Sequence, residues 1–527
     1  MSCYIKRISI QGYKKFKELD FEFNPKMNIL IGENEAGKST ILDAIRLVLC
    51  QDYRNSEKVY WNDMFNKDSV DEFKLNKSPE TLPSIHIELE FNLDPDMVNA
   101  ENFYGEQHRF DKKRRFGVAF DCSFDRDLGC GLDADIAKGV LPIEYYVPRW
   151  TTFSGQAYVV QRKPFGFMPI DTSELRKGVA FDFFSKTLFE TVVDSSSRLK
   201  AKNDFRDSLR KSFEDLGLAP MPNGRQFAIN DKKIGLESVL SVSDGGILLE
   251  NKGSGVANLV KTSVALQRNT SNIAVVTIEE PENHLSYVNM RKMIEGIKKR
   301  SDECQLIIAT HSNMIASSLG LRNIIWLNGM NNVIKLNDLD ESVDLFFVKS
   351  DTSRMLDFIL ARKILLVEGP TEYMLMPKFI KQETGKTIDE LGVSVIACDG
   401  VSYAKFLSLD KKESKRIAVI TDNDGDDNKI EKANNYNTKH VNSRIFMPSA
   451  IAEWTWEVCF YEKNKSSLES QFPAEPGAQY VFNGKPYPNT LGRMLHNKAD
   501  IAYKMLVSET VYNLPRYVEE AIAWLKE

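Results

Sequence analysis

The chain opens on an alternating pattern. Ile8 and Ile10 fall on one face, and Phe21 and Phe23 repeat the alternation after a turn expected near Gly12. Met27-Asn28-Ile29-Leu30-Ile31 is a short apolar run that leads into a glycine-bearing loop, which predicts a buried strand. Ile41 to Leu49 then has the apolar density of a buried helix. Residues from about 52 to 160 are mixed, with one clean alternation, Ile85 to Phe91, read as a strand. From about 172 to 217 the period becomes helical. Phe205, Leu209 and Phe213 stand at i, i+4 and i+8, and Leu216 continues the stripe. This predicts an inserted helical hairpin whose stripe is either internal core or a dimer seam.

Two further apolar runs, Ile273 to Ile278 and Leu306 to Ala309, flank a polar helix-like stretch, the β–α–β pattern of a parallel sheet. Residues 340–360 are charged and carry little apolar period, which suits a domain boundary. A second strand–loop–helix follows: Ile364 to Val367, then Glu368-Gly369-Pro370-Thr371-Glu372, then Tyr373 to Ile380. Val393 to Ala397 and Ile417 to Ile420 read as two more buried strands, and the Asn-rich segment 425–440 reads as a mobile loop. The expected class is α/β, and the expected division is 1–345, a linker over 346–360, and 361–527.

Composition narrows the class. The 527 residues are 42% hydrophobic and 27% charged, the profile of an ordinary soluble globular protein, and length alone suggests three or four domains. The net charge of −5 gives no bulk attraction for nucleic acid, so any such surface is local. The run Lys112-Lys113-Arg114-Arg115 reads as a solvated face or hairpin tip before it reads as a DNA contact. The seven cysteines are scattered without a CxxC, which fits reduced thiols and excludes a Cys-rich zinc site. No run of about 18 apolar residues occurs, and the start MSCYIKRISIQ has no apolar h-region. The expectation is a cytoplasmic protein with no membrane partner.

Four constellations carry phosphate chemistry. Gly32-Glu33-Asn34-Glu35-Ala36-Gly37-Lys38-Ser39-Thr40 satisfies G-x-x-x-x-G-K-[ST] between an expected strand and an expected helix. Its glycines let backbone N–H groups turn inward around phosphates, Lys38 neutralises β/γ charge, and Ser39 can ligate Mg²⁺. Val275-Val276-Thr277-Ile278-Glu279-Glu280 ends a buried strand in two acids. Glu279 stands where a Mg²⁺ ligand is needed, and Glu280 could polarise the attacking water. His311 follows the next strand and could reach the γ-phosphate. Gly253-Ser254-Gly255 precedes the helix-like Val256–Leu266, and small residues at a helix start favour anions.

In this order the four resemble the ABC-type ATPase head of SMC-like proteins: Walker A, signature loop, Walker B with catalytic Glu, and switch His. In that family the signature of one head closes over nucleotide held by a second. The resemblance therefore implies a homodimer or higher homo-oligomer. One departure is the Val256-Ala257-Asn258 that follows Gly255, without the Gln often found there.

The second half carries a second acid set. Glu368 follows one strand, with Glu372 a helical turn on, and Asp422 and Asp424 follow another. Acids at the ends of parallel strands converge on one edge of an open sheet, and oxygen-only clusters select Mg²⁺ or Mn²⁺. This pattern resembles the Toprim domain of topoisomerases, primases and related nucleases. An ABC head followed by a Toprim domain resembles the OLD family of ATP-dependent nucleases, over about 1–50 and 235–500. The resemblance implies an ABC-type ATPase domain over 1–345, with a helical dimerisation element at about 172–217, and a Rossmann-like Toprim nuclease domain over 361–527. It also implies roles for Glu457 in Thr455-Trp456-Glu457, as a metal-site acid, and for Lys498, as a charge near the second metal.

The function expected is an ATP-binding and ATP-hydrolysing DNA endonuclease, with Mg²⁺ or Mn²⁺ at both sites. Members of that family act in bacterial and phage conflict. Some work alone, some with a helicase-like partner (Gabija-type), and some with a retron reverse transcriptase and its DNA–RNA. A non-cutting SMC-like DNA-binding ATPase is the alternative. A Toprim primase or topoisomerase is the third reading. The absence of zinc-ribbon cysteines and of a clear nucleophilic Tyr context counts against it.

Overall fold

In the computed structural model the chain divides into two compact units, Met1–Asp338 and Leu339–Glu527. The structure describes residues 3–527 except 34, 52, 55–56, 128–135, 172–182, 219–222, 224, 226, 231–233, 267–272, 329–331, 337–356, 359–360, 399–402, 409–414, 474–479 and 483. Most of the expected linker, and Asn34 of the phosphate loop, therefore lie outside the described residues.

The first unit is built on two six-stranded sheets. Strands β1 (Tyr4–Tyr13), β2 (Phe16–Glu22), β4 (Ile85–Asn92), β5 (Tyr104–Gly105), β6 (Arg115–Phe124) and β7 (Tyr146–Thr152) form an antiparallel sheet in the order β2-β1-β4-β6-β5, with β7 also on β6. The reversal between β1 and β2 sits at Lys14-Lys15, two residues beyond the expected position, because Gly12 remains within β1. Strands β3 (Met27–Gly32), β8 (Gly166–Asp171), β11 (Ile273–Glu279), β12 (Gln305–Ala309) and β13 (Ile324–Asn328) pair in parallel in the order β13-β3-β12-β11-β8. β14 (Asn332–Lys335) is an antiparallel edge. A short hairpin, β9 (Ser243–Asp244) and β10 (Ile247–Leu248), stands apart.

The helix Lys38–Cys50 touches β4 and β6 of one sheet and β3, β11 and β12 of the other. One hydrophobic core consequently spans both sheets, from Ile5 and Ile8 to Ile307 and Leu327. This is why a length that suggests more domains yields one large unit here. The carbonyls that end the helix are met by buried side chains: Trp150 Nε1 donates to Leu47 O at 3.0 Å and the Tyr158 hydroxyl to Leu49 O at 2.9 Å.

The segment expected as a helical hairpin contains helices Phe183–Val192 and Ser195–Asp215, and residues 172–182 are outside the description. Asp194 caps the second by accepting from Ser197 N at 2.9 Å. That helix buries no residue; Phe205, Leu209 and Phe213 are half-buried.

The second unit is a four-stranded, all-parallel sheet in the order β16-β15-β17-β18: β15 (Lys363–Val367), β16 (Val393–Ala397), β17 (Arg416–Ile420) and β18 (Ser443–Phe446). Helices Pro370–Thr384, Trp456–Gln471, Asn489–His496, Lys498–Val507 and Arg516–Lys526 supply most of the rest of its core, with a small hairpin, β19 (Tyr480–Phe482) and β20 (Lys485–Tyr487), beside them. A sheet covered by helices requires continuous apolar strands, and β15 and β17 read so.

The expectation of a mobile loop over 425–440 is corrected: Asp427–Asn437 is a helix. Asp426 caps it by accepting from Asn428 N at 2.9 Å. Ala433 is its buried contact, and Asn437 pairs with Ile445 through both backbone groups at 2.8 Å. The helix is held by polar bonds, so it left no apolar period to read.

Candidate functional site

In the first unit, six consecutive buried residues make β3 a central strand that delivers Gly32 to the loop. Gly37 has φ 99°, and a Cβ there would lie 2.2 Å from the ring of Phe16, so this position takes only glycine. Gly37 caps the helix Lys38–Cys50 without a side-chain bond, which leaves the first-turn N–H groups directed at the loop. Lys38 is buried and its Nζ donates to Gly32 O at 2.9 Å and Glu33 O at 3.0 Å. Burial lowers its pKa, and the nearby Glu280, Glu282 and Glu279 oppose that.

Ser39 donates a hydrogen bond to Glu279, so the loop hydroxyl and the strand-end acid already face one position. Burial raises the Glu279 pKa and the Ser39 bond opposes it. Asp171, opposite Glu279 at the end of β8, adds to the rise, as do Asp43 and Glu280. A carboxylate and a hydroxyl in an acid-rich pocket form an oxygen donor set that fits Mg²⁺.

Glu280 has a left-handed backbone at φ 44°, held by its N–H donating to Ala309 O at 2.8 Å. Its Oε2 accepts from Asn283 Nδ2 at 2.7 Å, and its Oε1 lies 3.5 Å from His311 Nε2. His311 is placed by Glu282, whose Oε1 accepts from His311 N and from the Thr310 hydroxyl, both at 2.8 Å. Burial and then Lys38 lower the His311 pKa, which favours the neutral ring.

Gly253, Ser254 and Gly255 begin the helix Ser254–Ala265. A Cβ on Gly255 would lie 2.1 Å from His284 O, so this turn is pressed against the loop after Glu280. Gly253 faces open space within the described residues. Asn283 joins the two regions: its side chain holds Glu280, and its carbonyl accepts from Asn258 Nδ2 at 3.2 Å. Sequence reasoning missed Glu282 and Asn283. The signal available was their place directly after a strand-end acid pair.

In the second unit the register of β15 on β17 sets Val367 beside Ile420, so the residues that follow emerge together. Glu368 Oε2 accepts from the Thr421 hydroxyl and from Asp422 N, each at 3.0 Å. Asp422 is buried; its Oδ1 accepts from Trp456 N at 2.9 Å and its Oδ2 from the Thr455 hydroxyl at 2.7 Å. That hydroxyl also lies 2.7 Å from Glu457 Oε2, so Thr455 joins two acids instead of capping its own helix. Lys498, the first residue of its helix, sets Nζ 2.8 Å from Glu457 Oε1.

Glu372 lies buried in the same cluster. Burial, and then the charges of Glu457 and Glu368, push its pKa up to about 7. Burial, and then Glu368, push Asp422 up to about 8, against the Thr455 bond. Glu372 and Asp422 thus feel the charges of Glu368 and Glu457, while Lys498 pairs with Glu457. A divalent cation would remove the repulsion, and the donor set, all oxygen, fits Mg²⁺ or Mn²⁺. Among the described residues no three such side chains stand in an arrangement that would hold a metal ion without moving.

Asp424 stands apart. It is exposed, has φ 51°, and is ion-paired to Lys429. Its turn is fixed by Asn423, which is fully buried and donates from Nδ2 to Pro448 O at 3.1 Å and Ala450 O at 2.9 Å. Thr421, Thr455 and Lys429 were missed in the sequence because each acts by holding another side chain, and Asn423 because it holds the backbone of a turn.

Comparison with known proteins gives two kinds of match. Residues 7–118 match an AAA domain model and residues 169–316 an AAA ATPase domain model. Residues 359–424 match the Toprim domain of proteins like the overcoming lysogenization defect protein. The DNA replication and repair protein RecF of Phocaeicola vulgatus is 51% identical over 41 residues, 8% of this chain and 11% of that protein. Structural maintenance of chromosomes protein 3 of Saccharomyces cerevisiae is 42% identical over 57 residues, 10% of this chain and 5% of that protein. The chain therefore spans only a small part of the curated relatives it matches. Among solved structures, the SMC head domain from Thermotoga maritima aligns with TM-score 0.30 and 13% identity over 63% of this chain and 98% of that one. The recombination mediator protein RecF with ATP aligns with TM-score 0.31 and 13% identity, over 63% and 99%. Among the described residues no helix is long and apolar enough to cross a membrane.

Proposed function

We propose that this chain, in which an AAA-type ATPase domain precedes an OLD-like Toprim domain, is an ATP-hydrolysing, metal-dependent DNA endonuclease. The observation that carries the reading is the convergence of Glu368, Glu372, Asp422 and Glu457 with Lys498 at one edge of a parallel sheet. Glu368, Glu372, Asp422 and Glu457, and Asp424 once released from Lys429, would hold Mg²⁺ or Mn²⁺. Such ions activate water and neutralise the leaving oxygen of a phosphodiester. Thr421, Thr455 and the backbone of Asp422 and Trp456 fix the carboxylates, and Lys498 offers charge to the phosphate.

At the nucleotide site Lys38 would meet the β/γ-phosphates of ATP, Ser39 and Glu279 would hold Mg²⁺, Glu280 would orient water, and His311 would face the γ-phosphate. Gly253–Gly255 closes on nucleotide held by a second copy, which makes the working form a dimer or larger. A role in anti-phage defence, alone or with a helicase-like or retron partner, rests on the family resemblance.

The test is nicking of supercoiled plasmid in Mg²⁺ and in Mn²⁺, with and without ATP. The parent cuts, and Glu368→Ala lowers cutting by at least about 100-fold, ~2.7 kcal/mol of lost transition-state stabilisation. Glu280→Gln binds ATP but hydrolyses it about 100-fold more slowly. Equal nicking by parent and Glu368→Ala removes the Toprim assignment. A parent that never cuts, with any nucleotide, supports the non-cutting DNA-binding ATPase instead.

A further inference from the structure

Two lysines pair with acids of the second unit's candidate site, and they are held differently. Lys498 pairs with Glu457, a side chain only 4% exposed. Lys429 pairs with Asp424, a side chain 55% exposed, and is itself 45% exposed. The Asp424 backbone has little freedom. Its N–H donates to Trp454 O at 3.1 Å, and Asn423 Oδ1 accepts from Gly425 N at 2.8 Å. Only the Asp424 carboxylate can turn. Lys429 lies in the first turn of the helix Asp427–Asn437, whose cap at Asp426 fixes where the stem begins. The charge of Glu368 also acts on its ammonium, after that of Asp424, its ion-pair partner.

An ion pair this open to water is weak, and a divalent cation with several oxygen ligands readily replaces it. A four-carbon stem on a fixed helix then leaves the freed ammonium at the rim of the site. On the nuclease reading, a substrate phosphate must meet that divalent cation.

We propose that Lys429 is a tethered counter-ion of Asp424: a divalent cation displaces it, and the freed ammonium then contacts a phosphate of the bound DNA. This rests on the reading of the Toprim acids as a cation site. Lys429 is a positioning residue in the metal-free form and a substrate contact afterwards.

The experiment is Mn²⁺ binding to the full chain without nucleotide, read by the free-ion electron paramagnetic resonance signal. Lys432, exposed and one turn further along the same helix, is the control. Lys429→Met is expected to bind Mn²⁺ about three- to tenfold more tightly than the parent, and Lys432→Met to match the parent. With Ca²⁺ in place of Mn²⁺, Lys429→Met is expected to bind a labelled duplex more weakly, with a salt slope smaller by about one. Lys429→Met with parental or weaker Mn²⁺ affinity overturns the proposal, as does unchanged DNA affinity and salt slope. Glu368→Ala separates the levels. If it abolishes Mn²⁺ binding while Lys429→Met changes nothing, only this proposal falls. If neither the parent nor any variant binds Mn²⁺, the cation-site reading falls with it.

Discussion

His86 holds two carboxylates at once on the sheet of the first unit. Its Nδ1 lies 2.6 Å from Asp121 Oδ1 and its Nε2 2.8 Å from Glu88 Oε1, and Glu88 in turn accepts from Arg109 N at 2.9 Å. Burial lowers the His86 pKa, but the bonds to Asp121 and Glu88 outweigh it, and the net direction is upward. A folded pKa above the unfolded one gives stability that is fully present below about 6.5 and is lost as pH rises through the folded value. The melting temperature of the Met1–Asp338 transition should therefore fall across that window. His86→Gln, which keeps polar contacts but cannot charge, should flatten the fall; a parental slope in the variant would remove the assignment. At the same scale, the strand-end acids Glu279, Glu280, Glu368 and Asp422 were legible because hydrophobic runs announce where strands stop. Glu282, Asn283, Asn423 and Thr455 were not, because their partners are distant in sequence or set by a turn.

Among the elements, those with an apolar period were readable and those held by polar bonds were not. β3, β11, β12, β15 and β17 are short, buried and nearly continuous in apolar residues, so their ends located the phosphate loop and the acid edge. The helix Asp427–Asn437 has one buried residue and was invisible to periodicity, although it carries Lys429. The helix Ser195–Asp215 presents the opposite case. Its stripe was legible, but what the stripe meets was not, because in a single chain Phe205, Leu209 and Phe213 are only half-buried. If Phe205, Leu209 and Phe213 are part of a seam between copies, Phe205→Asp with Leu209→Asp should shift sedimentation toward monomer. Unfolding of the isolated chain should change by no more than about 1 kcal/mol, since half-exposed positions contribute little to a core. A monomeric parent at micromolar concentration, with and without ATP, would end the seam reading. A large loss of stability in the variant would return the stripe to internal packing.

At the scale of the whole molecule, each unit carries its own hydrophobic core and its own set of charged groups. Two cores predict two calorimetric transitions, each responding to its own ligand, since ligand that binds only the folded form stabilises what it binds. ATP with Mg²⁺ at about 100 times its dissociation constant adds about 2.7 kcal/mol to the unit it occupies, which in a domain of this size is a rise of a few degrees. That rise belongs to the transition of Met1–Asp338. Lys38→Ala should abolish it, because the ammonium on the Gly32 and Glu33 carbonyls is the charge offered to phosphate; Glu368→Ala should retain it. Mn²⁺ without nucleotide should raise the transition of Leu339–Glu527 in the parent and not in Glu368→Ala, whose loss frees the Thr421 hydroxyl and Asp422 N–H from their acceptor. On the same logic ATP hydrolysis by Glu368→Ala should match the parent, since no residue of the nucleotide site is touched. A single transition moved equally by ATP and by Mn²⁺ would mean that the two units unfold as one, and the independence of hydrolysis from the Toprim acids would go with it.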